Sequence, residues 1–304
     1  IWMKGKFSVA KKKEWLFYAL MAALPILQFI IFYVVVNANS LVLAFKSYDR
    51  DTNVYGWVGF DNFAAIIKSF RFDDVMRSSA INSLILYATN LLVSVPLSLI
   101  FSYYIYKKMW FSRFFNVILF LPSIISSIIM SMIFQNFVDN AIPEFILKIS
   151  GKMVGGLIST SEYTFGTILF YNVWVGFGIS VLLYSGAMSG IDNSLIEAAK
   201  LDGATSLSEF WHVVLSSIFP TITTFLVVGI AGIFTNQMAL FNFFGGEAPN
   251  SLSTFGYYMF VKVEDANIAQ FPRLSALGIL MTVVAVPITF VVKYLLEKFG
   301  PKTD

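Results

Sequence analysis

The residues whose types and spacing best indicate a function lie in one polar stretch in the second half of the chain. Ser194 and Glu197 have the spacing of a capping box, in which the hydroxyl accepts from an amide one turn on and the carboxylate reaches back. Gly203 can adopt the left-handed conformation that ends many helices. Ser206 and Glu209 repeat the capping spacing. The stretch therefore predicts two short capped helices joined by a turn, which together present a docking element.

This stretch, residues 193–220, lies between two strongly apolar segments and resembles the EAA loop of permease subunits in bacterial ATP-binding-cassette importers. The resemblance is carried by Glu197, Ala198, Ala199, Asp202, Gly203, Ala204 and Phe210. In that family the loop is a coupling helix that fits a groove of the cytoplasmic ATPase, so the resemblance implies that these residues couple the chain to an ATPase. The family pattern continues with Leu-Pro, where this chain has Leu215-Ser216 but keeps Pro220. The missing proline affects the expected bend at the start of the next span and not the docking role.

Two ordinary capping boxes in a polar loop are the alternative interpretation of this stretch. Capping explains the two serines and the two glutamates. It does not explain Asp202-Gly203-Ala204 at its fixed distance from Glu197, flanked by apolar segments.

The composition is that of a membrane protein. Of 304 residues, 57% are hydrophobic and 13% are charged, whereas ordinary soluble domains carry about 25% charged residues. The absence of cysteine excludes disulfides, thiolate catalysis and cysteine-bound zinc. A single histidine, His212, makes a histidine metal cluster implausible. A membrane enzyme is therefore the weakest hypothesis, because no catalytic set can be assembled.

Six apolar stretches are long enough to cross a bilayer, for which about 20 residues suffice. The predicted fold is an all-α integral membrane protein with six transmembrane helices and a cytoplasmic coupling helix between spans 4 and 5. The predicted spans are residues 15–36, 79–106, 114–134, 164–186, 213–235 and 274–292. Lysines at positions 4, 6 and 11–13 precede the first span, so the positive-inside rule predicts that the N-terminus is cytoplasmic. Six spans then make both termini cytoplasmic.

Two parts are expected along the chain. Residues 1–77 would form a cytoplasmic N-terminus, the first span and an external segment. Residues 78–304 would form a five-helix permease core with the coupling loop at about 187–212. The external segment contains Gly-Phe-Asp-Asn-Phe at 59–63, followed by a predicted short amphipathic helix. This segment is similar to the VGLDNF sequence of carbohydrate permeases. Among importer permeases, the resemblance is therefore to those that carry carbohydrates.

The six predicted spans contain no Asp, Glu, Lys, Arg or His. Carriers driven by protons or sodium usually keep ionisable groups in the membrane, so an ion-coupled carrier is disfavoured. The sequence closest to a phosphate loop, residues 150–153, lacks the first glycine and the Ser or Thr after the lysine. We therefore expect no cofactor in this chain, with ATP and Mg held by a partner ATPase.

Neutral polar residues in the spans are candidates for the cargo path, because amides donate and accept hydrogen bonds without fixing a charge. Alignment outward from Glu197 to the related maltose-transporter permeases implies sugar contacts at Asn172, Gly176 and Asn236, with nonpolar Gly229 and Ile233 at two further positions. Near matches on the third span are Ser123 and Ser127. The alternative is that such residues only bond neighbouring helices, at about 0.6 kcal/mol each.

The resemblance implies a non-enzymatic permease subunit in the bacterial cell membrane, which translocates a sugar or oligosaccharide. The implied partners are a second permease subunit, commonly a different chain, two ATPase subunits, an extracytoplasmic sugar-binding protein and the lipid bilayer; no nucleic acid is implied. A permease for glycerol phosphate, peptides or polyamines is the alternative within the same machinery. A charged cargo would be expected to meet a counter-charge in the spans.

The predicted topology can be tested with single cysteines, because the chain has none of its own. An impermeant thiol reagent applied to intact cells should label cysteines at 62, 152 and 248, and should leave those at 108, 202 and 302 unlabelled until the membrane is opened. Labelling of position 202 from outside would overturn the six-span topology and the coupling role together.

Overall fold

The computed structural model describes the backbone of residues 9–301 and the side chains of residues 14–301. The N-terminal lysines and Lys302, which support the predicted orientation, have side chains outside this part. The first half contains α1 (Val9–Phe29), α2 (Val36–Leu43), β1 (Lys46–Asp49), β2 (Val54–Trp57), α3 (Asp61–Phe72), α4 (Asp74–Thr89), α5 (Val95–Tyr106), α6 (Ser112–Ile124), α7 (Ser127–Asn136) and α8 (Ile142–Ser150). The second half contains α9 (Ser161–Ser189), α10 (Asn193–Leu201), α11 (Ser206–Ser208), α12 (Leu215–Ser217), α13 (Phe219–Ala231), α14 (Leu240–Phe244), α15 (Phe255–Glu264) and α16 (Phe271–Phe299).

Within residues 9–301, four π-helical segments join neighbouring α-helices into longer runs. They lie between α1 and α2, α4 and α5, α7 and α8, and α11 and α12, at Ile30–Val35, Asn90–Ser94, Phe137–Ala141 and Glu209–Val214. Each segment accommodates an extra residue without breaking the chain of backbone hydrogen bonds.

The helical fold class is confirmed, with four to six apolar spans. Four helical runs in the described residues are long and apolar enough to cross a membrane: Glu14–Leu43, Asp74–Tyr106, Ser161–Ser189 and Phe271–Phe299. Two bent pairs have the same property when each is taken as one span: Ser112–Ile124 with Ser127–Ser150, and Ser206–Ser217 with Phe219–Ala231. The four long runs extend beyond the predicted spans, and their added residues include charged ones: Glu14, Asp74, Arg77, Glu162, Arg273, Lys293, Glu297 and Lys298.

The two bent pairs differ from the straight spans that the hydrophobic pattern predicted. The axis turns by 105° between α6 and α7, where Ile125 and Ser126 have extended backbone after Pro122. It turns by 67° before α13, where Pro220 occupies the first turn. Proline lacks the amide hydrogen that an interior helical residue donates, so it permits a break at each place. The second bend therefore occurs although Ser216 replaces the proline of the family pattern.

One compact unit contains the described residues up to Lys68 together with Ala266–Leu280. Its strands form an antiparallel hairpin that the sequence did not predict, with Tyr48 paired to Tyr55. The amide nitrogen of Asn62 donates to the carbonyl oxygens of Ala44 (2.8 Å) and Lys46 (2.7 Å), which fixes α3 to the hairpin. The apolar run α1–α2 in this unit is exposed along its length, as expected of a helix that lipid surrounds.

The second unit contains Ser69–Asp265 and the rest of α16 from Met281. Its helix α9 packs along α5 and α6, and two apolar clusters lie at different heights of α9. One cluster includes Ile168 and Tyr171 and contacts α7 and α14, while the other includes Tyr184 and Met188. The second cluster also contains Ile196 and Phe210, so the predicted coupling segment packs against the end of α9.

Helices α6 and α9 approach each other closely at Gly178. A Cβ atom added there would overlap the backbone carbonyl of Leu119. Small residues allow such close approach of helices in membranes, where van der Waals packing drives helix association.

Replacing Gly178 with alanine should therefore force α6 and α9 apart and destabilise the fold by about 1–3 kcal/mol. The measurement is the thermal unfolding midpoint of the purified protein in detergent. The matched control is Gly186→Ala on the same helix, where an added Cβ meets no atom within 4 Å. Equal midpoints for the two variants would contradict the close contact.

Candidate functional site

The predicted coupling segment, residues 187–212, contains a short helix, α10, which ends in a glycine turn. Gly203 has φ of +79°, as the sequence predicted. The amide of Ala204 donates to the carbonyl of Ala199 (2.9 Å), and the amide of Gly203 donates to that of Lys200 (3.1 Å). These two bonds form a Schellman motif, which satisfies the last carbonyl groups of the helix. The turn is therefore set by local hydrogen bonds and needs glycine at position 203.

The predicted capping boxes are wrong, because the caps lie one or two residues earlier. Asp192 caps α10 by accepting from the amide of Ser194 (2.9 Å). That hydrogen bond lowers the pKa of the Asp192 carboxyl below its ordinary value. Thr205 caps α11 by accepting from the amide of Ser208 (3.3 Å). Asp192 and Thr205 both have the extended backbone that a cap requires, and Glu209 is engaged elsewhere.

The coupling segment is anchored by two residues and exposes most of the others. Ile196 and Phe210 are 6% exposed, and both lie in the apolar cluster at the end of α9. The candidate coupling residues Glu197, Ala198, Asp202 and Gly203 are exposed, while Ala199 and Ala204 are half-buried. Leu201 is 89% exposed. Ile196 therefore holds one side of α10 in place, Glu197 and Ala198 of the EAA motif lie on its exposed side, and Ala199 is half-buried.

Phe210 is an anchor and not part of the exposed face. Its ring centroid lies 4.9 Å from that of Tyr103 on α5 and 5.5 Å from that of Trp211. Packing explains the position of Phe210 in the motif, because its ring contacts fix the start of the helical run that leads to α13.

The most buried charge in the coupling segment is Glu209, whose side chain is 4% exposed. Its Oε1 atom lies 2.5 Å from Nζ of Lys107, at the end of α5, and 3.2 Å from the hydroxyl of Tyr103. That hydroxyl also lies 3.0 Å from the carbonyl oxygen of Ser206. Sequence reasoning missed this ion pair, because the partners are about a hundred residues apart and Glu209 fitted a capping pattern.

A cavity of about 420 Å³ lies between the α4–α5 run and α13. Asn90 and Val95 lie on one side, and Gly229, Ile233 and Asn236 on the other. The structure thus brings together the three positions after the coupling loop that correspond to sugar contacts in the maltose-transporter family. A Cβ atom at Gly229 would lie 3.1 Å from the ring of Tyr87, so glycine keeps the cavity open at this point.

Asn172 does not line this cavity. Its amide nitrogen donates to the carbonyl oxygens of Ile168 and Met238, both at 2.9 Å. The Oδ1 atom of Asn236 accepts from the amide of Met238, also at 2.9 Å. Met238 and the following Ala239 have φ of +52° and +55°, which is uncommon for residues with a Cβ. The two asparagines therefore stabilise this turn from both sides.

The other candidate pathway residues lie elsewhere. The Ser123 hydroxyl donates to the carbonyl of Phe120 (2.7 Å), inside α6. Ser127 begins α7 after the 105° bend and is exposed. Gly176 lies on α9, where an added Cβ would meet no atom within 4 Å. None of these three belongs to the lining of the 420 Å³ cavity, as far as the described residues define it.

Comparison with known proteins identifies relatives over most of the chain. The chain is 25% identical over 271 residues to the polygalacturonan/rhamnogalacturonan transport system permease protein YteP of Bacillus subtilis, covering 86% of this chain and 81% of that protein. It is 22% identical over 261 residues to the multiple sugar-binding transport system permease protein MsmF of Streptococcus mutans, covering 86% and 88%.

Two solved structures share the fold. A chain of a bacterial ABC transporter involved in the import of the acidic polysaccharide alginate has a TM-score of 0.78, with 21% identity and coverage of 95% of this chain and 97% of that one. The bacterial alginate ABC transporter in complex with an alginate pentasaccharide-bound periplasmic protein gives a TM-score of 0.74, with 21% identity and coverage of 92% and 93%.

The family model for the binding-protein-dependent transport system inner membrane component matches residues 94–304, which include the coupling segment and α13. The chain therefore belongs to this family of membrane components of binding-protein-dependent transport systems.

Proposed function

We propose that the chain is one of two permease subunits of an ATP-driven importer for a sugar or oligosaccharide. The observation that carries this proposal is α10, a helix fixed by its buried side and its Schellman turn, with the EAA residues on an exposed side. In the proposed assembly, one of two ATPase subunits docks on the segment at about 187–212, and the ATPase subunits hold ATP and Mg. An extracytoplasmic binding protein delivers the cargo, and the second permease completes the path.

The proposed membrane arrangement has six spans, with each bent pair counted as one. Both termini and α10 then lie in the cytoplasm, and α10 lies between spans 4 and 5. Residues 78–304 form the permease core, and residues 1–77 provide the first span and an external segment. Support comes from the length and apolar character of the four long runs and the two bent pairs.

The proposed cargo is an oligosaccharide that contacts the protein through neutral groups. The lining of the 420 Å³ cavity combines two amides, hydroxyl groups and apolar side chains, and the described lining carries no carboxylate, ammonium or guanidinium group. Relatives are named for both a neutral and an acidic saccharide: one for galactooligosaccharides and one for polygalacturonan. Uptake should therefore be tested with matched neutral and acidic oligosaccharides, and transport of only the acidic set would argue against the neutral cargo.

The coupling role predicts that Gly203→Pro abolishes docking of the ATPase, because proline cannot adopt the positive φ of this turn. Glu197→Ala should weaken docking without unfolding α10, since Glu197 is exposed and does not cap the helix. Asp192→Ala should loosen the helix start by about 1 kcal/mol. The measurement is co-purification of the ATPase with the membrane subunits, followed by ATP hydrolysis.

The control for these variants is Glu162→Ala, which removes an exposed carboxylate from the first turn of α9, far along the chain from the motif. It should leave co-purification unchanged. Wild-type co-purification and hydrolysis in both Gly203→Pro and Glu197→Ala would refute the coupling role.

The cavity predicts different effects for its two candidate asparagines. Asn236→Leu should weaken cargo binding by the equivalent of about 1–3 kcal/mol, through loss of polar pairing. Asn236→Asp keeps the side-chain oxygen that accepts from the Met238 amide but loses the NH2 donor of the asparagine. This variant therefore tests the hydrogen bond to the cargo while the turn is retained. Asn172→Leu should instead reduce assembly, because both hydrogens of its amide nitrogen are used within the protein.

Uptake is measured per assembled complex, with the saccharide that supports the highest wild-type uptake. Normal uptake in Asn236→Leu would remove Asn236 from the cargo path. Normal assembly with reduced uptake in Asn172→Leu would show that Asn172 contributes to the path and not to the turn.

A further inference from the structure

The two walls of the 420 Å³ cavity connect to the coupling segment in different ways. One wall is α13, which follows the coupling segment directly along the chain through α12. The other wall is the α4–α5 run, which contributes Tyr87, Asn90 and Val95. This run lies about a hundred residues earlier in the sequence and also packs along α9, which leads into the coupling segment. Its direct connection to the coupling segment is made by side chains of α5.

That connection is concentrated at the end of α5. Lys107 follows the last residue of α5 and pairs with Glu209 at 2.5 Å. Tyr103, one turn earlier, places its hydroxyl within 3.2 Å of Glu209 and its ring 4.9 Å from that of Phe210. The ammonium group of Lys107 also lies 5.6 Å from the centre of the Tyr103 ring. An ion pair, a hydroxyl contact and a ring contact thus join two residues of the coupling segment to one turn of α5.

The burial of this pair distinguishes it from the other ion pairs in the described residues. The side chains of Lys107 and Glu209 are 23% and 4% exposed, whereas those of Lys293 and Glu297 are 50% and 60% exposed. An exposed pair contributes little to the geometry of a protein. Removing one member of a buried pair leaves an uncompensated charge, so the buried arrangement strongly disfavours separation of the two groups.

We propose that Glu209 is a positioning residue, which with Lys107 and Tyr103 fastens the end of α5 to the coupling segment, so that both walls of the cavity move with it. This inference rests on the proposed function. Movement of the segment by the ATPase then reaches α13 through the chain and α5 through Glu209. Without the ion pair, the segment would still move α13, but the α4–α5 wall would follow only through its packing against α9.

The experiment measures the distance between the end of α5 and the coupling segment in the assembled importer, with ATP and vanadate as the only added ligands. Cysteines replace Met109, after α5, and Leu207, in α11; both side chains are more than half exposed. Spin labels on these cysteines give the distance by pulsed electron paramagnetic resonance, without nucleotide and after trapping with ATP and vanadate. We expect one narrow distance that is the same in both states. A wild-type distance that changes on trapping would overturn the proposal.

Glu209→Gln should release α5. The fraction of complexes that keep the wild-type distance in the trapped state should fall by about five-fold or more. A five-fold change is about the smallest effect that one coupled site typically has on another. The double variant Lys107→Gln/Glu209→Gln leaves no unpaired buried charge and decides the question if the single variant fails to assemble. Lys107→Arg keeps the charge and should retain the wild-type distance. Retention of that distance in both glutamine variants would also overturn the proposal.

The matched control is Glu297→Gln, which breaks the exposed pair with Lys293 and should leave the distance unchanged. The proposed function is judged separately, by co-purification of the labelled chain with the ATPase. If the complex forms and the glutamine variants keep the distance, only the role of Glu209 fails. If the wild-type chain does not bind the ATPase, the proposed function fails.

Discussion

The structure depends first on the need to satisfy every backbone polar group in a region without water. A helix meets this need internally, and non-helical backbone in a membrane protein requires other partners. After α13 the chain leaves the helix over residues 232–239. The carbonyl of Met238 accepts from Asn172, its amide donates to Asn236, and the carbonyl of Asn236 accepts from the Thr254 hydroxyl (2.8 Å). Side chains replace the missing helical bonds, so this turn can exist beside the cavity.

The same constraint assigns roles to the neutral amides. Asn82 donates to the carbonyls of Ser251 (2.8 Å) and Ser253 (2.9 Å), and so holds the segment before α15 against α4. Asn172 does the equivalent for the turn at Met238. Both amides hydrogen-bond backbone carbonyls of other segments, as the alternative for intramembrane amides predicts. Asn236 differs because it supports the turn through its oxygen and also lines the cavity.

The sequence predicted features that depend on local chemistry. Hydrophobic runs of sufficient length located the long helices, and Gly203 was correctly predicted to take a positive φ because few other residues suit that turn. The bend before α7 was not predicted, because hydropathy is the same for one straight helix as for two at 105°. The hairpin was missed because its strands have four residues each, too few for a clear alternation.

The candidate site was predicted less well than the fold, for a related reason. The exposed EAA residues follow a pattern that is contiguous in sequence, and they lie together on α10. The contacts that hold them, from Tyr103 and Lys107 to residues near 209, join distant segments, and no spacing rule reports such pairs. Glu209 shows the difficulty, since its position fits a capping box while its carboxylate lies in a buried ion pair.

The placement of charge in the chain gives the ion pair a specific physical role. The central turns of the apolar runs carry no Asp, Glu, Lys, Arg or His, so contacts there are van der Waals contacts and neutral hydrogen bonds. A buried ion pair adds little net stability compared with apolar packing, because desolvation offsets the Coulomb attraction. Its energy nevertheless rises steeply with separation, since the attraction is strong where water is excluded. The Lys107–Glu209 pair therefore fixes a relative position more than it stabilises the fold, and it does so at the end of α5, where the coupling segment meets the cavity wall.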